Sequence, residues 1–187
     1  TTVLLAVGRV AAEKNIELAL EAWQAAATAK PGTVLVVVGD GPARARLERQ
    51  HPAVRFTGAL RGEALAEAYA SADAFLFPSL TDTFGNVVVE ALASGLPVVA
   101  FDTAAAAEHV VDGESGRLVP VGDRRRYVEA VAALALTPVL SRERERGKAR
   151  EAALQIAWPD VLARFERRLL STVVEHEASR ERLPVVA

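Results

Sequence analysis

Apolar residues in this chain gather into short unbroken runs, most of them stopped by glycine or proline, with stretches of helical spacing between them. Val3-Leu4-Leu5-Ala6-Val7 is the first run and ends at Gly8. Val34 to Val38, Val54 to Thr57, Ala74 to Phe77, Val98 to Ala100 and Arg117 to Val119 follow in order. An unbroken run such as Val3–Val7 suits a strand buried on both faces of a parallel sheet. Between the first two, Ile16, Leu18, Ala19, Leu20, Ala22 and Trp23 recur at mostly helical spacing. Ala43 to Gln50, Ala64 to Ser71 and Asn86 to Ala93 read as shorter helices, and from Asp123 onward the signal is helical throughout. Strands alternating with helices predict an α/β chain: a three-layer α/β/α, doubly wound parallel sheet of Rossmann-like type.

The same pattern predicts one domain over 1–157 and a C-terminal helix and tail over 158–187. Pro159 fits the first turn of that last helix, with Val161, Leu162, Phe165, Leu169 and Leu170 as its apolar stripe. The stripe would pack on this domain or on a partner domain missing from the chain. The charge run SRERERGKAR at 141–150 is read as a solvated helix face.

Composition narrows the function classes. At 187 residues and 51% hydrophobic, the chain can build one sizeable core. A net charge of −2 argues against a nucleic-acid binder, which would carry a basic excess. The absence of cysteine removes disulfides and thiolate metal sites. No apolar run approaches membrane-spanning length, and TTVLLAVG is too short and uncharged for a signal peptide. With no methionine, even at position 1, the chain is expected to start inside a longer gene product.

In such a sheet, ligands bind beyond the carboxyl ends of the strands, so the loops after the strands hold the candidate chemistry. GRVAAEKN (8–15) has Gly8 for a tight turn, with Arg9 and Lys14 as a fork of donors and a point charge suited to a phosphate or diphosphate. The bland alternative is a solvated loop with Glu13 pairing locally, although Lys14 is one of only three lysines. GDGP (39–42) resembles part of a dinucleotide fingerprint but lacks the third small residue, since Arg44 stands there; a strand-to-helix turn is favoured, with Asp40 a minor candidate. Gly58, Leu60 and Arg61 could border a nucleobase or form an ordinary turn. In TDTFGNVVVEALASGLPVVA (81–100), N–H groups of Phe84, Gly85, Asn86 and Val87 at a helix N-terminus would face an anion. Glu90, one turn beyond Asn86, can accept two hydrogen bonds from a vicinal diol such as ribose. Asp82 would reach sugar hydroxyls. Singly, each acid could be a cap or a surface residue; together with Arg9 and Lys14 they describe a nucleotide-sugar site.

GRVAAEKN, VVVGDGP, FPSLTDTFGNVVVEALASGLPVVA and EHVVDGESGRLVP, in this order, resemble the C-terminal half of a retaining GT-B glycosyltransferase of family 4. The likeness covers about residues 3–176. The family's pair of glutamates separated by seven residues falls on Asp82 and Glu90, so Asp82 is a departure that shortens the reach by one methylene. The resemblance implies that Arg9 and Lys14, with Asp82, do the catalytic work, the basic pair holding the donor diphosphate. It implies donor contacts from Gly8, Gly58, Leu60, Arg61, Asp82, Thr83, Phe84, Gly85, Asn86, Val87 and Glu90. No metal or other cofactor is expected, because the basic pair replaces it. The donor would be a UDP- or GDP-sugar, GDP-mannose among them. The partner would be an N-terminal acceptor domain of the same polypeptide, and the isolated fragment would transfer nothing. The setting implied is bacterial cell-envelope polysaccharide synthesis, in the cytoplasm or peripheral at the inner face of the membrane.

Two other readings stay open at this point: a GT-B-like nucleotide-sugar epimerase, and a non-catalytic nucleotide-sugar-binding subunit. An epimerase would want further acids and histidines in the cleft. His51 and His176 lie in or beside charged helical segments, and His109 is read as a helix C-terminal residue beside Glu108. A dehydrogenase fits poorly, since neither the first loop nor GDGPAR supplies the full glycine set.

Overall fold

The computed structural model describes residues 1–81 and 85–156. Six strands form one parallel sheet: β1 (Thr2–Val7), β2 (Thr33–Val38), β3 (Arg55–Gly58), β4 (Ala74–Phe77), β5 (Val98–Phe101) and β6 (Gly116–Val119). Their spatial order is β3-β2-β1-β4-β5-β6, and every pairing is parallel. The helices are α1 (Ile16–Ala29), α2 (Arg44–Gln50), α3 (Gly62–Ala70), α4 (Asn86–Ala93), α5 (Ala104–His109), α6 (Arg124–Leu136) and α7 (Val139–Leu154). This is the doubly wound Rossmann-like order that the alternating pattern predicts. The compact unit is Thr1–Ala153. The expected helix with Val161, Leu162, Phe165, Leu169 and Leu170 lies outside the described residues.

The apolar runs become the middle layer. Leu4, Leu5, Phe75, Leu76, Val98 and Val99 are all within 1% of complete burial. Each such side chain removed from water stabilises the fold by about 1.5–3 kcal/mol. One cluster joins α1, α2 and α6 to one face of the sheet through Leu18, Leu47, Leu4 and Tyr127. The other joins α3, α4, α5 and α7 to the opposite face through Tyr69, Phe75, Leu92, Ala106 and Ala149. The change of side occurs between β3 and β4, so β1 and β4 lie side by side with crossovers leaving in opposite directions.

The loops at the carboxyl ends pack backbone on backbone. Gly8 N–H donates to Val38 O at 2.9 Å, Val10 N–H to Asp40 O at 2.9 Å, and Gly39 N–H to Gly58 O at 2.8 Å. A Cβ on Gly39 would collide with the Gly8 carbonyl oxygen, and one on Gly41 with that of Val10. The GDGP stretch is thus a structural turn, as favoured from sequence. Its helix starts at Arg44 rather than Ala43, and α3 starts at Gly62 rather than Ala64.

The charge run at 141–150 departs from expectation. It lies in α7, but one face of that helix is docked rather than solvated. Arg142 pairs with Asp73 at 3.2 Å, Glu145 with Arg117 at 2.8 Å, and Arg146 donates to Ala72 O at 2.9 Å. Ala149, one turn on, is fully buried. Positions 142, 145, 146 and 149 recur at helical spacing and form one stripe. Asp73 is the anchor: its Oδ2 accepts from Val3 N–H at 2.8 Å, so one carboxylate ties β1, β4 and α7 together.

Two outcomes follow. Gly39→Ala is expected to cost about 3–5 kcal/mol, from collision plus strain at φ 141°. Gly32→Ala, with open space around its Cβ, should cost about 1 kcal/mol; urea midpoints of the two variants would check the contrast. Arg117→Ala should lose about 2 kcal/mol, because it leaves the Glu145 carboxylate without its cation. Adding Glu145→Leu should restore part of that loss in the same titration.

Candidate functional site

The crevice opens where the sheet changes winding direction. β1 pairs with β4 only at Leu4↔Ala74 and Leu5↔Phe75, whereas β1 follows β2 up to Val7↔Val38. Beyond Leu5 the two central strands part, and the loops after them face each other. Hydrogen bonds span the gap: Asn15 Nδ2 donates to Pro78 O at 3.3 Å, and Ser79 Oγ to Glu13 O at 3.5 Å. The first loop is therefore fixed to the segment that leads to α4.

Gly8 leaves β1 at φ 151°, a value that favours glycine. A single 3-10 turn, Ala12–Lys14, follows and ends at Asn15, which is left-handed at φ 51°. Lys14 closes that turn and is half-buried. Arg9 is exposed and sits 3.6 Å from Glu13, so the local pair considered from sequence is present. Exposed pairs of this type are worth about 0–1 kcal/mol, which an arriving anion can outcompete.

Across the crevice, Gly85 caps α4 at φ 56°, with no side-chain cap and no acidic residue in the first turn. Among the described residues, no acid of the first turn offsets the positive end of the helix dipole. A Cβ on Gly85 would collide with that of Ala105, so glycine also lets α4 and α5 approach. Asn86 is exposed and Val87 half-buried at the first positions, and Glu90 is exposed one turn on. Asp82, Thr83 and Phe84 lie outside the described residues.

The third loop is built by Gly58, Leu60 and Arg61. Gly58 ends β3, Leu60 rests on the second apolar cluster, and Arg61 is exposed at the start of α3. A Cβ on Gly58 would press on the Arg44 guanidinium. Arg44 is held by Asp40 at 3.2 Å and Glu48 at 3.7 Å. The Asp40 carboxylate also accepts from Gly41 N–H at 2.8 Å, so it is engaged in its own turn. His51 ends α2 and His109 is the last residue of α5, the positions the sequence suggested; His176 lies outside the described residues.

One partner escaped the sequence. Tyr69, in the last turn of α3 and only 3% exposed, donates its phenol to Glu90 Oε2 at 2.9 Å. Burial first, then the bond and charge of Glu90, push the phenol far above its ordinary range, so it remains a donor. No helix of the described residues is long and apolar enough to cross a membrane.

A family model described as "Glycosyl transferases group 1" matches residues 1–136. A GDP-mannose-dependent alpha-mannosyltransferase of Mycobacterium tuberculosis (strain CDC 1551 / Oshkosh) is 43% identical over 157 residues. Those residues are 83% of this chain but 39% of that protein, so the chain spans about two-fifths of this relative's length. Among solved structures, the pneumococcal O-GlcNAc transferase GtfA in complex with UDP and GlcNAc superposes with a TM-score of 0.76 at 20% identity, over 91% of this chain and 36% of that one. The C-terminal domain of a glycosyl transferase group 1 family protein, LpcC of Francisella tularensis, gives a TM-score of 0.72 at 21% identity, over 83% of this chain and 85% of that one. With the family model spanning most of the sequence and the sheet in the same fold, this chain belongs to the group 1 glycosyl transferases, as a C-terminal domain of the GT-B fold.

Proposed function

We propose that the chain is the donor-binding domain of a retaining, metal-independent mannosyltransferase, and that its donor is GDP-mannose. The observation that carries this reading is the bridged crevice between β1 and β4, which sets a loop with two cations against an uncapped helix N-terminus. The relative that is 43% identical supports guanosine and mannose over the other donors.

In this reading Arg9 and Lys14 hold the diphosphate, with the N–H groups of Gly85, Asn86 and Val87. Gly8 keeps side-chain bulk away from the phosphates. Gly58, Leu60 and Arg61 border the base, and Glu90 takes the ribose hydroxyls. Asp82, Thr83 and Phe84 contact the mannose. During transfer the bond between the anomeric carbon and the β-phosphate oxygen breaks, and negative charge grows on the departing diphosphate. Two cations and a helix N-terminus stabilise that charge in place of a metal ion. An acceptor hydroxyl attacks the oxocarbenium-like centre from the face the diphosphate leaves and passes its proton to the departing β-phosphate oxygen, so configuration is retained. The acceptor sits on an N-terminal domain of the same polypeptide, and the whole acts in the bacterial cytoplasm, in cell-envelope synthesis.

Calorimetric titration of the chain with GDP and with UDP tests this. GDP is expected to bind more tightly, equally well with Mg²⁺ or with a chelator. Lys14→Ala should weaken binding by about 10-fold or more, the worth of a charge-assisted bond. Absence of binding by either nucleotide would overturn the donor reading, and a requirement for Mg²⁺ would overturn metal independence.

A further inference from the structure

Glu90 has one carboxylate oxygen committed before any ligand arrives. Tyr69 reaches Oε2 from beneath: it sits in the last turn of α3, and helix side chains lean back toward the N-terminus of their own helix. The phenol therefore rises from the foot of α3 toward Glu90, one turn into α4. The ring cannot swing away. It is buried against Phe75, with ring centroids 5.9 Å apart, and Phe75 stacks in turn on Phe77 at 6.3 Å. A short, stiff aromatic column thus runs from the centre of the sheet to a carboxylate that is otherwise exposed.

We propose that Tyr69 is a positioning residue which, by holding Glu90 Oε2, aims Oε1 at the ribose 2′-hydroxyl and makes this domain discriminate ribonucleotides from 2′-deoxyribonucleotides. The proposal rests on the donor reading above. An unanchored glutamate on a helix surface samples several rotamers and loses that side-chain freedom when a ligand fixes it. Tyr69 fixes it in advance, so the ligand does not bear that cost. The carboxylate still has lone pairs for the diol, since the phenol occupies one of about four.

The test compares GDP with 2′-deoxy-GDP by calorimetry. The unsubstituted chain is expected to prefer GDP by about 10-fold or more. In Tyr69→Phe, which keeps the ring and its packing, that preference should fall to about threefold or less, mainly through weaker GDP binding. Any partial unfolding of the variant scales both dissociation constants by the same competent fraction, so their ratio is unaffected. Glu90→Gln should also collapse the preference, and adding Tyr69→Phe to it should change little, because the phenol acts through Glu90. An undiminished preference in Tyr69→Phe, or independent losses in the double variant, would overturn this inference while leaving the donor reading standing. Failure of the unsubstituted chain to bind either GDP or UDP would overturn both.

Discussion

The parting of β1 from β4 is the constraint on which the rest of the site depends. Parallel strands require crossovers, and right-handed crossovers put each following helix on a face fixed by the direction of travel. When winding reverses, two neighbouring strands send their loops apart and a crevice is left between them. Here the pairing stops at Leu5 and Phe75, while β4 continues with β5 to Phe77↔Ala100. The gap is therefore a result of topology, and the side chains around it fill a cleft the backbone has already made.

Around that cleft, close backbone approach takes the place of side-chain packing. Main-chain hydrogen bonds join Gly8 to Val38 and Gly39 to Gly58, and Gly85 lets α4 lie against α5. This brings N–H groups and helix ends to the surface of the crevice, where an anion gains most from them. It also keeps the cationic loop stiff, because Asn15 and Ser79 cross-link it to the segment after β4.

Much of this was legible from the residues. Short, mainly apolar runs closed by glycine or proline marked five of the six strands, since buried parallel strands leave little room for polar residues. The loops after β1 and β4 stood out because cations and an acid-bearing helix start there. Other features were invisible for one reason: they join residues that only the third dimension brings together. Tyr69 and Glu90 are separated in sequence, and nothing in the sequence alone says that α3 and α4 share a face. The α7 stripe of Arg142, Glu145, Arg146 and Ala149 was hidden because charged residues usually mark a solvated surface. Its signal was the alanine at helical spacing from the ionic residues. Asp73, which no motif singled out, is the clasp of three elements.

The way α7 is attached sets where the molecule opens first. Among the described residues, its ties to the body include two ion pairs and the Arg146 bond to Ala72 O, and Ala149 is fully buried with Ala153 packed beside it. Releasing it breaks these ion pairs and lets its arginines regain water. The central strands have no such exit, because every residue of β4 and β5 is buried. In native-state amide exchange, α7 therefore belongs to the first unit to open, while β1, β4 and β5 exchange only with global unfolding. The domain is a hard sheet with a loosely buttoned outer helix, and the button is Asp73.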